Sequence, residues 1–189
     1  MSVGSMTLRN CPLGLSALLL LAAARLHAQE YRGPIWGGTG GTATYNLDCG
    51  SAGILVGVYG KVGLWVDQLG IICQTVKADG TLGGSYTKGP VGGPGGTSET
   101  ARCPSGQGVG SAGARAGSYI EYVHIACWPW DPGTRRLNTS GYETNKDLGE
   151  WSTAMRSFRC SEEKIGKALR GKYGSYIDSM QFVCDDYNK

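Results

Sequence analysis

Three stretches of the chain share one alternation of apolar and polar positions. Trp65, Leu69, Ile71 and Cys73 fall on one parity; Tyr119, Val123, Ile125 and Cys127 repeat it, and so do Tyr176, Met180, Phe182 and Cys184. Period-two alternation predicts strands with one buried face, here Leu64 to Ile72 and its counterparts, each preceded by an apolar arm such as Ile54 to Tyr59. Asp67, Glu121 and Asp178 share the inward parity. A carboxylate there sits at a bend near the strand end or needs partners, because burying it alone is costly.

These stretches are the second halves of three 25-residue blocks, Cys49 to Cys73, Cys103 to Cys127 and Cys160 to Cys184, which align without a gap. Their shared centre is a glycine, an aromatic two residues on and an acid two further: Gly63-Leu64-Trp65-Val66-Asp67, Gly117-Ser118-Tyr119-Ile120-Glu121 and Gly174-Ser175-Tyr176-Ile177-Asp178. A basic residue, Lys61, Arg115 or Lys172, lies midway between each pair of cysteines. Placed at a hairpin tip, it sets the two cysteines opposite each other across antiparallel strands, a geometry a disulfide bridges. Six cysteines allow fifteen pairings in principle; the repetition favours Cys49–Cys73, Cys103–Cys127 and Cys160–Cys184.

Glycine-rich runs precede the first two blocks: Gly33-Pro34-Ile35-Trp36-Gly37-Gly38-Thr39-Gly40-Gly41-Thr42 and Gly89-Pro90-Val91-Gly92-Gly93-Pro94-Gly95-Gly96-Thr97. Glycine at this density disfavours a helix and permits close backbone approach, so both runs read as loops. A short strand, Ala43 to Leu47, follows the first, and Asp79-Gly80 marks a hairpin turn in the first spacer. The second spacer opens with a turn, Trp128-Pro129-Trp130-Asp131-Pro132-Gly133, and carries Lys146-Asp147-Leu148-Gly149-Glu150-Trp151 where the glycine run belongs. Asn138-Thr139-Ser140 is a glycosylation acceptor in a eukaryotic secreted chain. Asp185 to Lys189 read as a short polar tail. Equivalent cysteines recur after 54 and then 57 residues. Strand-rich repeats of that length predict an all-β fold of three small antiparallel sheets with pseudo-threefold symmetry. The β-trefoil, also threefold, is the alternative and has shorter repeats.

Met1 to Ala28 have the features of a secretory signal peptide: Arg9, an apolar run from Leu13 to Ala24 too short to span a bilayer, and a small-residue site at Leu26-His27-Ala28. Residues 29–189 then form one domain. They carry 16 basic and 15 acidic residues, a net charge of +1. That leaves no electrostatic footprint for nucleic acid or an anionic membrane, and no second apolar run is long enough to span one. Loss of Cys11 with the peptide leaves six cysteines, as expected of a disulfide framework in an extracellular protein, or a periplasmic one in a bacterium. No Cys-x-x-Cys pair suggests a metal or redox site.

Outside the leader, His124 is the only histidine. A general base or metal ligand needs convergent partners, so a lone histidine in a strand is read as structural. Threefold repetition sets Asp67, Glu121 and Asp178 at three separate places instead of about one bond, which disfavours glycoside hydrolysis. No catalytic residue and no cofactor is assigned. The glycine runs and block centres together suit a sugar: an acid accepts its hydroxyls, unobstructed backbone N–H groups donate, and an aromatic covers an apolar ring face.

The run from Gly33 to Gly41, the stretch Gly63-Leu64-Trp65-Val66-Asp67-Gln68-Leu69-Gly70 and Gly174-Ser175-Tyr176-Ile177-Asp178 resemble the glycine loop and the Gly-x-x-x-Asp loop of the jacalin-related lectins. The resemblance implies the β-prism I fold, three four-stranded Greek-key sheets about a threefold axis, and metal-free binding of carbohydrate or glycoconjugate. It further implies that each glycine loop meets the acid of the preceding unit. One site then joins Gly37, Gly38, Gly40 and Gly41 to Gly174, Ser175, Tyr176 and Asp178. A second joins Gly92, Gly93, Gly95 and Gly96 to Gly63, Leu64, Trp65 and Asp67. The third, with Glu121 and no double-glycine loop, is expected to be dead or altered. The disulfides depart from the plant lectins. The cysteine-bearing relative of the same fold is the vitelline membrane outer layer protein, whose repeats resemble these less at the tips; it keeps a structural or coat role as an alternative.

Overall fold

The computed structural model describes residues 30–150, 154–161 and 164–187. The expected signal peptide, Trp151 and the last two residues lie outside them. The strands, in chain order, are β1 (Tyr31–Gly37), β2 (Ala43–Asp48), β3 (Gly53–Val62), β4 (Val66–Val76), β5 (Leu82–Gly92), β6 (Thr97–Arg102), β7 (Gln107–Ala116), β8 (Ile120–Asp131), β9 (Arg136–Leu137), β10 (Thr144–Leu148), β11 (Arg156–Arg159), β12 (Ile165–Tyr173) and β13 (Ile177–Asp185). They form three antiparallel sheets, ordered β1-β13-β12-β2, β5-β4-β3-β6 and β10-β8-β7-β11, with β9 added beside β8. In the second sheet three consecutive strands form a meander and β6 returns beside β3, a Greek key. The first sheet repeats that order with β12, β13, β1 and β2, so the two ends of the chain close the prism together. This is the expected β-prism I architecture.

Inward residues of all three sheets meet in one core. Leu55, Val58, Leu69 and Ile71 pack with Val109, Ala112, Val123 and Ile125 and with Leu169, Met180 and Phe182, all at 0 % exposure. The strands are more than half-buried, however. Near the cysteine ends the opposite parity is covered too: Ile54, Val56 and Ile72 lie under Trp128, Trp130, Leu137 and Tyr187. Tyr187, expected in a polar tail, is thus part of the structure, and Trp130 Nε1 donates to Gly80 O at 2.8 Å across this second cluster.

The glycine-rich runs are loops only in their second halves. Residues 31–37 are edge strand β1 and residues 89–92 end edge strand β5. Pro34 and Pro90 are tolerated because each lies at a register shift on an edge, where a missing N–H costs no ladder bond.

The three disulfides pair as expected, with Cα–Cα separations of 5.6, 5.7 and 5.7 Å, but not by the expected geometry. Lys61 is paired with Gln68 inside the hairpin and is not its tip; the tip is Gly63-Leu64-Trp65. The residues opposite Cys73, Cys127 and Cys184 are Leu55, Val109 and Gly166. Cys49 instead continues β2, its N–H bonded to Lys167 O in the first sheet, while Cys73 lies in β4 of the second. Cys103 and Cys160 repeat this through Val56 O and Gly110 O. Each disulfide therefore ties the last strand of one sheet to the next sheet round the axis.

At the chain entrance, Arg170 on β12 holds both Glu30 oxygens, at 2.7 and 2.6 Å, and Asn46 Oδ1 on β2 at 2.7 Å. Arg170, aided by Arg32, draws the Glu30 carboxyl from its ordinary 4.5 to about 2 against the opposing effect of burial.

Two outcomes follow. Replacing Cys49 and Cys73 together by alanine lowers unfolding free energy in denaturant by about 3 kcal/mol, the chain-entropy value for a loop of this size, with strand content retained by circular dichroism. The depressed Glu30 pKa means its stabilisation is present above pH 4.5 and disappears as pH falls towards 2. A Glu30→Gln variant is thus less stable than wild type at neutral pH by a small, solvent-screened amount, and a pH series of unfolding curves converges between those limits.

Candidate functional site

At one end of the prism the three hairpin tips turn identically. Gly63 N–H donates to Trp65 O at 2.9 Å, Gly117 N–H to Tyr119 O at 3.1 Å and Gly174 N–H to Tyr176 O at 3.0 Å. This turn brings the acid four residues on back beneath its glycine: a Cβ on Gly63 would sit 3.4 Å from Asp67 Oδ2, and one on Gly174 3.8 Å from Asp178 Oδ2. The Gly-x-x-x-acid spacing is the sequence mark of that fold-back.

Each glycine loop meets the acid that the resemblance assigned to it. Gly38 N–H donates to Asp178 O at 2.9 Å and Gly93 N–H to Asp67 O at 2.8 Å, extending the β1–β13 and β5–β4 pairings by one bond. Gly37 and Gly92 then turn the chain with φ of 99° and 104°, a region that favours glycine. Beyond the turn the loops run tight against the carboxylates. A Cβ on Gly40 would overlap Asp178 Oδ1 and one on Gly95 would overlap Asp67 Oδ1; at Gly41 and Gly96 the distances to the second oxygens are 2.8 and 2.7 Å.

Asp178 is 4 % exposed and Asp67 7 %. Among the described residues neither carboxylate receives a hydrogen bond or an ion pair. Buried acids are ordinarily satisfied by the protein. Asp178 instead forms one wall of a hollow of about 320 Å³ with Gly38, Thr39, Gly40, Gly117, Ser118 and Tyr119.

That hollow contains residues the sequence reading did not assign. Ser118 and Tyr119 come from the tip of the second unit, and a Cβ on Gly38 would meet Ser118 O at 2.5 Å. Equivalently, Gly93 lies against Ser175 O, so Ser175, assigned to the first site, also borders the second. Each place thus draws on three units. Equivalence of the tips was visible in the sequence; which tip leans over which loop depends on the handedness of the arrangement.

The aromatic residues of the tips do not stand apart as separate sugar platforms. Trp65, Tyr119 and Tyr176 converge on the axis with centroids 4.9 to 5.3 Å apart, tilted or edge-on, in a half-exposed trio. Leu64 projects outward at 78 % exposure.

The third place differs. Gly149 keeps the turn, with φ 95°, and faces Glu121 O, but Glu150 follows where Gly38 and Gly93 stand in the other two. Arg115 pairs with Glu121 at 2.7 Å, so this carboxylate is taken. Glu99 and Glu150 help line the adjoining hollow of about 430 Å³. His124 lies away from the three tips on the outer side of β8, 8 % exposed, with Nδ1 2.7 Å from Asp147 Oδ1.

Neither a protein-family profile nor a curated protein matches the sequence. Solved structures do match in shape. Malaysian banana lectin superposes with a TM-score of 0.56 at 19 % identity, covering 84 % of this chain and 99 % of its own. A mannose-binding jacalin-related lectin from Ananas comosus gives 0.56 at 17 % identity with the same coverage. Artocarpin, described as a lectin with mannose specificity, gives 0.58 at 11 % identity, again covering 84 % and 99 %. The sheet order, the closure of the prism by both chain ends and these superpositions together give the chain the β-prism fold of the jacalin-related lectins.

Proposed function

We propose that this is a secreted carbohydrate-binding protein with two glycan sites, one centred on Asp178 and the loop 37–41, the other on Asp67 and the loop 92–96. One observation carries the reading: at two equivalent places a nearly buried carboxylate, with no donor among the described residues, is pressed against glycine backbone at the prism tip. Such a carboxylate can accept from two vicinal hydroxyls while adjacent backbone N–H groups donate to others, the polar complement of a pyranose edge. Three disulfides accord with an oxidising, extracellular setting. Because two of the structural relatives are described as mannose-binding, a sugar panel begins with mannose and its oligomers. At the third place Arg115 already occupies Glu121, and that place takes no part.

Asp178→Asn and Asp67→Asn each remove a charged acceptor, and titration calorimetry should show each weakening one site by roughly tenfold or more, with the double variant inactive. Binding by the double variant equal to wild type, or no glycan bound by wild type on an array, sinks the two-site reading. Gly95→Ala drives a Cβ onto Asp67 Oδ1 and is expected to reduce calorimetric stoichiometry from two to one while the 37–41 site keeps its affinity.

A further inference from the structure

The basic residue midway between each pair of cysteines has a task that its place in the strand does not require. Lys172 Nζ donates to Thr39 O at 3.3 Å, and Lys61 Nζ donates to Pro94 O at 2.9 Å. Thr39 and Pro94 are the central residues of the two loops, Gly37-Gly38-Thr39-Gly40-Gly41 and Gly92-Gly93-Pro94-Gly95-Gly96. Threonine and proline share little in their side chains, yet the contact is the same, because it is made to the backbone carbonyl. In the third unit, whose sequence lacks the double glycines, Arg115 pairs with Glu121 at 2.7 Å.

The bond has a directional consequence. Thr39–Gly40 and Pro94–Gly95 are trans. In a planar trans peptide the C=O and the next N–H point in opposite directions. A lysine holding the carbonyl on its own side therefore turns the Gly40 or Gly95 N–H away from itself. Those same two glycines lie closest to Asp178 Oδ1 and Asp67 Oδ1. Among the described residues the other hydrogen bonds that hold the loops lie at their ends, the Gly38 and Gly93 bonds and the entry into β2 and β6. Glycine-rich backbone has the largest conformational freedom to lose, so a third attachment at the centre matters more here than elsewhere.

We propose that Lys172 and Lys61 are positioning residues that lock the two glycine loops and aim the Gly40 and Gly95 N–H donors at the ligand; the assignment rests on the sugar-binding reading of these loops. Lys172 serves the Asp178 site and Lys61 the Asp67 site, each independently of the other.

The test measures backbone ¹⁵N order parameters and mannose-oligomer affinity in Lys172→Met, Lys61→Met and Lys172→Arg. In Lys172→Met the order parameters of Gly38, Gly40 and Gly41 should fall from about 0.85 towards 0.6 while those of Gly93, Gly95 and Gly96 stay unchanged. Lys61→Met gives the reverse. Affinity at the matching site should drop about five- to tenfold, as expected on losing a charge-assisted bond and the order it imposes, and Lys172→Arg should recover most of it. Loop order unchanged in both methionine variants overturns the clamp, and loop order lost without loss of affinity overturns its role in positioning. If wild type binds no sugar, the reading of the loops as glycan sites falls, and the order parameters still decide whether the lysines hold them.

Discussion

No sheet of this protein can cover its own inner face. Each has an apolar inner surface, Leu69 and Ile71 in one, Val123 and Ile125 in the next, Met180 and Phe182 in the third, and only the other two sheets shield it from water. Burying that surface fixes a closed three-sided arrangement, and several features follow from the closure. The first two strands must join the last two, since an open third side would expose the core. The hairpins must end together at one end of the prism, where their aromatic rings fill the axis. The cysteine pairs must reach between sheets, because the strand leaving one sheet passes beside the second strand of the next.

The candidate sites are a product of the same closure. A glycine loop belongs by sequence to the unit that follows it but by hydrogen bonding to the sheet before it. It therefore lies over an acid that is distant in the chain, Asp178 for the loop at 37–41. The third unit shows what the arrangement requires. There the glycine of the turn is kept while the residue after it is Glu150, and the nearby acid is neutralised by Arg115. One scaffold thus carries two carboxylates with no partner among the described residues, each beside a double-glycine turn, and one that is paired.

Much of this was legible in the chain. The alternation identified the inner faces, the ungapped blocks identified the cysteine partners, and the spacing of glycine and acid identified the tips. These are local or repeated signals, and hydrophobic period and loop chemistry act over a few residues. The resemblance, not the spacing, supplied the pairing of each loop with a remote acid. The reading went wrong where a residue's neighbours are set by other units. Lys61 looked like a hairpin tip and proved to be a strand residue. Residues 31–37 looked like loop and are edge strand, because pairing with β13 outweighs the weak strand preference of glycine and proline.

The sequence by itself determined the two inner strands of each sheet, the disulfide partners and the inequality of the three units, since each depends on residue type at a fixed spacing along one segment. Only the tertiary structure decided that the disulfides run between sheets and that the three aromatics meet on the axis. It also decided that the second tip leans over the first loop, and that two lysines reach the centres of the glycine loops. Those contacts join residues as far apart as Thr39 and Lys172. No local pattern encodes them; they exist because burying three apolar faces at once admits one closed, handed arrangement of the sheets.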